Sequence, residues 1–130
     1  MKVVIVDDSE ADRYLARRVI RRACPGAEIV EYAAGYLALE DLTDEEAFDA
    51  KFGPPPEPLI VLVDINMPRI DGFQLAEAVR ESPRAGSIHV FMYSSSDRPS
   101  DRVRAESNDV VRGFVTKPLT AERFRELATR

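Results

Sequence analysis

Residues 59–64 read Leu-Ile-Val-Leu-Val-Asp, an apolar run that ends on an acid. Three other apolar runs also end on polar groups: residues 3–8 (Val-Val-Ile-Val-Asp-Asp), 91–94 (Phe-Met-Tyr-Ser) and 114–118 (Phe-Val-Thr-Lys-Pro). Short runs of this kind predict buried strands. If the strands are parallel, their carboxyl ends bring the acids, the hydroxyl and the ammonium to one edge of one sheet. Such an edge suits a divalent cation and a phosphoryl group.

Length and composition bound the class of protein. The 130 residues suit one domain, and 45% hydrophobic with 32% charged residues is typical of a soluble globular protein. The net charge of -5 argues against a nucleic-acid-binding surface over the whole chain. Cys24 is the single cysteine, so no intramolecular disulfide can form. The first strand starts at Lys2, which leaves no room for a signal peptide, and no apolar run suits a membrane span; we expect a cytoplasmic protein.

Strand-like and helical patterns alternate along the chain, which is typical of an α/β fold with a parallel sheet. Ser9 with Asp12, and Asp71 with Gln74, predict capped helix starts. The predicted strands are 2–6, 27–30, 59–63, 88–93 and 112–116. The predicted helices are 9–24, 34–42, 71–81, 99–108 and 120 to the last residue.

The segment between the second helix and the third strand is unusual. Thr43 and Glu46 predict a further capping box with another turn or two of helix. Pro54–Pro58 contains four prolines, which exclude helix and central strand and predict a stiff surface connection. A polyproline ligand for a partner is the alternative interpretation of these prolines.

The polar residues at the strand ends, taken in their order along the chain, resemble those of the receiver domain of two-component response regulators. The resemblance runs from Val3 to about Leu127. It rests on Asp7-Asp8 as the acidic pair, Asp64 as the phosphorylated aspartate, Asn66-Met67-Pro68 and Asp71-Gly72 as the loop after it, Ser94 as the signalling hydroxyl, Lys117-Pro118 as the family dipeptide and Phe114 as the switch aromatic. It implies that residues 1–130 are a single receiver domain with a cis Lys117-Pro118 bond. The implied fold is flavodoxin-like, a doubly wound parallel sheet of order 2-1-3-4-5 with helices on both faces.

The acids of this pattern predict a Mg²⁺ site. Carboxylates brought within a few Å repel one another unless a cation lies among them, and an all-oxygen site suits Mg²⁺. We assign Asp8 and Asp64 as direct ligands and Asp7 as an acid that acts mainly through a bound water. The backbone carbonyl of Asn66 is a further predicted ligand.

The remaining groups predict phosphoryl chemistry without a conventional enzyme activity. Asp64 is the expected nucleophile and forms an aspartyl phosphate. The Lys117 ammonium and the Ser94 hydroxyl each take one phosphoryl oxygen. Slow hydrolysis, with a half-life of about minutes, is expected: Asn66 can hold a water near the phosphorus, which favours hydrolysis, while Ser96 is too short to help much or to block it, so the lifetime lies between the family's extremes.

The resemblance also implies a switch and its partners. Ser94 moves towards the phosphoryl group, and Phe114, expected to be exposed or mobile in the inactive state, turns inward. The phosphodonor is a sensor histidine kinase or a histidine phosphotransfer protein. An effector protein or a second copy of the chain binds the face formed by helix 99–108, strand 112–116 and the last helix, and neither nucleic acid nor membrane is a partner. The first helix carries a row of three arginines, Arg13, Arg17 and Arg21, with Arg18 and Arg22 beside it. The row is either a solvated face or the docking surface for the kinase or phosphotransfer protein.

One feature departs from the family pattern. Asp8 and Asp64 are separated by roughly ten residues more than a receiver leads us to expect. The surplus falls between Thr43 and Pro58, away from the predicted chemistry, where it predicts a subfamily-specific contact. The kinase, the signal, the output partner and the oligomeric state are not encoded in any recognisable motif.

Three alternatives share part of this pattern. A haloacid-dehalogenase-like phosphatase also uses a strand-end aspartate with Mg²⁺, but it requires Asp-x-Asp after the first strand, where this chain has Asp7-Asp8-Ser9. A flavodoxin-like electron carrier requires a hydroxyl- and glycine-rich phosphate loop there. A receiver-like interaction module that no longer uses phosphate would not need the intact acids.

Overall fold

The strands form the predicted sheet. The computed structural model describes residues 1–53 and 57–129. Its five strands are parallel and lie in the order β2-β1-β3-β4-β5, which confirms the predicted flavodoxin-like topology. The strands are β1 (Lys2–Val6), β2 (Glu28–Tyr32), β3 (Leu59–Asp64), β4 (Ile88–Ser94) and β5 (Val111–Thr116). The helices are α1 (Glu10–Ala23), α2 (Gly35–Thr43), α3 (Glu45–Phe52), α4 (Gly72–Arg80), α5 (Pro99–Glu106) and α6 (Ala121–Ala128), with a 3-10 turn at Ala85–Ser87.

Helices cover both faces of the sheet, so side chains that alternate along one strand enter two separate cores. All six residues of β3 are buried, which explains its continuous apolar run. Val61 and Val63 pack on the side of α2, α3, α4 and α5. Ile60 and Leu62 pack on the side of α1 and α6. The sheet therefore presents only its edges and the strand ends to solvent.

The segment after α2 forms the further turn or two of helix that was predicted, as α3 of eight residues, but its cap differs. Thr43 is the last residue of α2, and its hydroxyl donates back to the Leu39 carbonyl over 2.6 Å. The N-cap of α3 is Asp44, whose carboxylate accepts from the Ala47 N–H at 2.9 Å. The predicted Thr43 cap is therefore wrong by one residue, because Thr43 already makes a hydrogen bond within the preceding helix.

The surplus residues pack against the amino-terminal end of the sheet. Phe48 and Phe52 of α3 are buried in the core, with ring centroids 5.1 Å apart. The Lys2 ammonium, at the start of β1, donates to the Phe52 carbonyl over 2.6 Å. Arg84 forms ion pairs with Asp49 and with the neighbouring Glu45 of α3. The extra helix therefore lies at the end of the sheet away from the clustered acids, as the sequence predicted.

Two further expectations concern the prolines. Pro54–Pro56 of the predicted surface connection lie outside the described residues, while Glu57 and Pro58 are exposed. The Lys117-Pro118 peptide bond is cis, as the resemblance implied.

Within residues 1–53 and 57–129, none of the helices has the length and apolar character that crossing a membrane requires.

Candidate functional site

Three acids meet at the carboxyl edge of the sheet. Asp7 and Asp8 follow β1, and Asp64 ends the neighbouring strand β3. One carboxylate oxygen from each lies within 4.8 Å of the other two. Asp7 is fully buried, Asp64 is nearly so, and Asp8 is exposed. The strand order therefore brings together the three predicted acids, although 56 residues separate the last two.

The loop after β3 fixes the position of Asp64 through backbone contacts. The Asn66 N–H donates to Asp64 Oδ1 over 3.2 Å, and the Gly72 N–H donates to the Ile65 carbonyl over 3.0 Å. A Cβ atom at Gly72 would lie 2.5 Å from the Asp64 carbonyl oxygen. Asp71 caps α4 in a complete capping box with Gln74. Because only glycine permits this approach, the Asp71-Gly72 pair sets the position of the acid through close backbone packing.

Lys117 joins the cluster from the end of β5. Its Nζ lies 2.8 Å from Asp7 Oδ2 and 3.7 Å from Asp64 Oδ2. It also lies 4.9 Å from the centroid of the Tyr93 ring. The predicted lysine is therefore brought to the acids, but it is hydrogen-bonded to Asp7 and not to Asp64.

Asp12 is a site residue that the sequence analysis missed. Its Oδ2 accepts from Lys117 Nζ over 2.8 Å, the same distance as for Asp7. Sequence reasoning assigned Asp12 to a capping box with Ser9, and half of that box is present: the Asp12 N–H donates to Ser9 Oγ over 3.2 Å. The Ser9 N–H instead donates to Asp7 Oδ1 over 2.9 Å. Because the Ser9 N–H donates to Asp7, the Asp12 carboxylate is available to accept from Lys117.

Ser94 reaches the same edge but is not hydrogen-bonded to the acids. It ends β4, one residue beyond Tyr93, which is paired in register with Asp64. The side chain is buried, and its Oγ accepts from the Ser96 N–H at 3.1 Å. The Ser94 carbonyl accepts from the Lys117 N–H at 2.7 Å. Ser94 is thus placed on the strand next to Asp64, with its hydroxyl held by its own loop.

Phe114 is covered in this structure, so the exposed ring, one of the two alternatives expected of the inactive state, is not found. Only 9% of the residue is exposed, and it belongs to the same apolar cluster as Met92 and Ala105. The guanidinium of Arg102 lies 4.8 Å from the ring centroid and is itself paired with Asp97. The cation-π contact explains the difference, because Arg102, on α5, covers one face of the Phe114 ring.

Electrostatics at the site reflect crowded negative charge. Burial raises the pKa of Asp64 to about 6; Lys117 partly opposes this, and the nearby Asp7 and Asp8 add to it. Burial lowers the pKa of Lys117, but its hydrogen bonds to Asp12 and Asp7 outweigh that effect and leave the pKa raised. Without a cation, the cluster therefore holds one firmly charged ammonium among several mutually repelling carboxylates.

We expect Asp64→Asn to stabilise the metal-free protein. Because the pKa of Asp64 is higher in the folded protein than in the unfolded chain, the wild type loses stability as the pH rises from about 4 through about 6. The substitution removes that penalty, so urea unfolding in EDTA should show a gain of roughly 1 to 3 kcal/mol at pH 8. The gain should shrink as the pH falls towards 4.

The exposed acid Asp109 provides the control for this measurement. Asp109→Asn should change the free energy of unfolding by less than about 0.5 kcal/mol at either pH. A loss of stability in Asp64→Asn at pH 8 would show that the carboxylate is a net stabilising group and that the repulsion is already relieved.

The donor set fits a hard divalent cation. Three carboxylates at the carboxyl edge of the sheet provide oxygen ligands of the kind that Mg²⁺ prefers. Asp7 already accepts hydrogen bonds on both oxygens, one from the Ser9 N–H and one from Lys117. Asp8 is exposed and Asp64 borders solvent, so these two are the acids more open to a hydrated ion.

Comparison with known proteins identifies the family and supports the fold. The sequence pattern of the response regulator receiver domain matches residues 3–129. The chain belongs to the response regulator receiver domain family. The crystal structure of a two-component response regulator from Cytophaga hutchinsonii is 32% identical, with a TM-score of 0.84 over 98% of this chain and 93% of that chain. Protein PilG of Pseudomonas aeruginosa is 28% identical over 94% of this receiver and 80% of its own length.

Receivers are the signalling domains of two-component systems, and relatives of this one include parts of larger sensor proteins. The sensor histidine kinase CheAY of Helicobacter pylori is 28% identical over 92% of this chain. That match spans only 13% of CheAY, so this receiver resembles one part of the kinase chain.

Proposed function

We propose that this receiver is a phosphoacceptor: Asp64 takes a phosphoryl group from a phosphohistidine, and the aspartyl phosphate switches a protein-binding face. The observation that carries the proposal is the position of Asp64, which is nearly buried beside two other acids and has the Lys117 ammonium 3.7 Å from its Oδ2. A carboxylate in this setting has a cation close to where phosphoryl charge would develop. The proposal treats residues 1–130 as one receiver domain that acts in the cytoplasm.

The transfer step requires little covalent chemistry from the protein. A carboxylate oxygen of Asp64 forms the new bond to phosphorus while the P–N bond of the phosphohistidine breaks. The bonding electrons leave with the imidazole nitrogen, which is protonated from solvent. The Lys117 ammonium interacts with one phosphoryl oxygen. The Ser94 hydroxyl, which accepts a hydrogen bond from the Ser96 N–H in this structure, would move away from that N–H and donate to another phosphoryl oxygen. Slow hydrolysis of the aspartyl phosphate returns the receiver to its first state.

Asp8, Asp64 and the carbonyl of Asn66 would hold Mg²⁺ directly, with Asp7 acting through a water. When bound, the ion would neutralise the carboxylates and the charge that accumulates on phosphoryl oxygens. The engagement of both Asp7 oxygens with protein groups supports its indirect role.

Phosphorylation by a small donor tests the proposal. Incubation with acetyl phosphate and MgCl₂ should add one phosphoryl group by intact-mass spectrometry, and hydroxylamine should remove it, since acyl phosphates are cleaved by this nucleophile. EDTA in place of the magnesium salt should prevent the addition. A protein that stays unmodified under saturating donor would refute the phosphoacceptor function.

The proposed docking site for the kinase or phosphotransfer protein lies on α1. Tyr14 and Leu15 are about half exposed on this helix. Leu15, Val19 and Pro118 line an apolar groove beside the site. Arg18 and Arg22, which lie beside the predicted arginine row, also line this groove, while Arg13 and Arg17 of the row pair with Glu31 of β2. Apolar side chains ringed by arginines suit a partner helix with an acidic rim.

The proposed output face is formed by α5, β5 and α6. A groove there is lined by Arg102, Arg112, Phe114 and Arg123, and the Arg123 guanidinium donates to the Phe114 carbonyl over 3.2 Å. The proposed switch starts at Ser94, whose movement would displace the loop from Ser96 to Asp97. Because Asp97 pairs with Arg102, that loop is linked to the arginine that covers Phe114. An acidic effector protein, or a second copy of this chain, is the proposed occupant.

We expect beryllofluoride, a phosphoryl mimic, to change NMR shifts far from the acids. With Mg²⁺ present, the changes should extend from Ser94 through Asp97 and Arg102 to Phe114. Ser94→Ala should keep the changes around Asp64 and remove most of those at Phe114, because it lacks the hydroxyl that responds. Ser107→Ala, on the exposed end of α5, is the matched control and should behave as wild type. Changes confined to the acids in the wild type would contradict the switch.

A further inference from the structure

Lys117 is shared between the acid cluster and a carboxylate outside it. Its Nζ makes two hydrogen bonds of equal length, to Asp7 Oδ2 and to Asp12 Oδ2, each 2.8 Å. Asp12 lies in the first turn of α1 and does not belong to the group of acids that could hold a metal ion. The lysine side chain is 11% exposed, whereas that of Asp12 is 37% exposed. The ammonium is therefore held partly from the rim of the site.

The local fold leaves Asp12 free for this contact. In a complete capping box its side chain would accept from the Ser9 N–H. That N–H donates to Asp7 Oδ1 instead, at 2.9 Å. The backbone half of the cap, from the Asp12 N–H to Ser9 Oγ, does not need the Asp12 carboxylate. The carboxylate can thus be replaced without removing the helix cap.

The geometry makes Asp12 a competitor of the phosphoryl group. An ammonium has three donors, and two of those of Lys117 are directed at Asp7 and Asp12. Asp64 Oδ2, at 3.7 Å, is beyond hydrogen-bond distance. A lysine that moves towards a group on Asp64 must lengthen one of its existing bonds. Water can replace it more easily at the part-exposed Asp12 than at the fully buried Asp7, so the bond to Asp12 is the one that gives way.

We propose that Asp12 is a positioning residue that retains Lys117 in the unphosphorylated receiver and weakens its hold on the phosphoryl group. The inference rests on the proposed function, since it concerns the lysine that contacts the phosphoryl oxygen. Competition for the ammonium and repulsion between the Asp12 carboxylate and phosphoryl oxygens act in the same direction. Removing the carboxylate therefore favours the phosphorylated state.

Beryllofluoride titration in saturating Mg²⁺, followed by NMR, tests the inference. Asp12→Ala should tighten apparent binding about three- to tenfold, the range expected when a charge-assisted hydrogen bond no longer competes. Asp12→Glu, which can still reach the lysine, should stay closer to wild type. The matched control is Glu10→Ala, which removes another acid from the first turn of α1 and has the same cost to the helix dipole. Its affinity should lie within about twofold of wild type.

A second measurement reports on the lysine alone. In the protein without beryllofluoride, the Lys117 NζH₃ protons should exchange with water faster in Asp12→Ala than in wild type and in Glu10→Ala. Unchanged or weaker beryllofluoride binding by Asp12→Ala overturns the inference, as does an equal gain in Glu10→Ala, which would indicate charge without a specific contact. If the wild type itself binds no beryllofluoride, the phosphoacceptor function fails as well; if only the Asp12 effect is absent, that function stands.

Discussion

Asp64→Asn is expected to abolish phosphorylation of this receiver completely. The amide oxygen is a poor nucleophile for phosphorus, so no acyl phosphate can form on the substituted side chain. The amide retains an oxygen that can accept from the Asn66 N–H, which keeps the side chain in place. With acetyl phosphate and MgCl₂, intact-mass spectrometry should show one added phosphoryl group on the wild type and none on the variant.

A matched acid-to-amide change separates this effect from a change in net charge. Asp109→Asn alters an exposed acid that precedes β5, at the opposite end of the strand from Lys117, and should keep the full adduct. Circular dichroism should confirm that both variants fold. An adduct that persists on Asp64→Asn would mean that another side chain accepts the phosphoryl group, and the proposed role of Asp64 would be wrong.

Asp8→Asn is expected to weaken Mg²⁺ binding at least about tenfold, a loss of about 1.4 kcal/mol or more. Asp8 is the exposed acid of the three, and its carboxylate is proposed to bind the ion directly. The neutral amide removes one negative charge from that coordination. Isothermal titration calorimetry with MgCl₂ in metal-free buffer measures the change, and phosphorylation by acetyl phosphate should then require a correspondingly higher Mg²⁺ concentration.

The control for metal binding is Glu10→Gln, which removes one charge from the nearby start of α1. It should change the Mg²⁺ affinity by less than about twofold, because screening reduces the effect of an exposed charge. An unchanged titration in Asp8→Asn would place the metal at another group of oxygens. That result would leave the position of Asp64 intact and would remove only the proposed ligand set.

Much of the fold follows from local patterns. The apolar runs before Asp7 and Asp64 are rich in β-branched residues and the run before Ser94 is rich in aromatic ones, and all three runs are strands. Asp71 and Gln74 form the predicted capping box, since its two hydrogen bonds join residues three apart. Errors at the helix and strand ends are a few residues, because local hydrogen bonds decide most of these boundaries.

Contacts between distant segments account for what the sequence analysis missed. Asp12 is a capping residue in any local interpretation, and its bond to Lys117 joins residues 105 positions apart. Phe114 was expected to be exposed or mobile in the inactive state because it lacks a hydroxyl, yet in this structure Arg102 of α5 covers it. The predicted turn or two of helix after Thr43 is present, but the burial of Phe48 and Phe52 was not predicted, because the core that they enter is formed by residues distant in the sequence.

The amino-acid pattern was sufficient for a parallel α/β sheet and for the candidate acids, because strands and helices alternate and polar groups at parallel strand ends share one edge. The strand order was implied by the resemblance to receiver domains that those polar groups carry. It was insufficient for the partner of each charged group. Whether Lys117 is bonded to Asp64, Asp7 or Asp12 depends on differences of about 1 Å between side chains from three elements. Coulomb and hydrogen-bond energies change steeply over such distances, so only the packed tertiary structure sets which acids hold the ammonium.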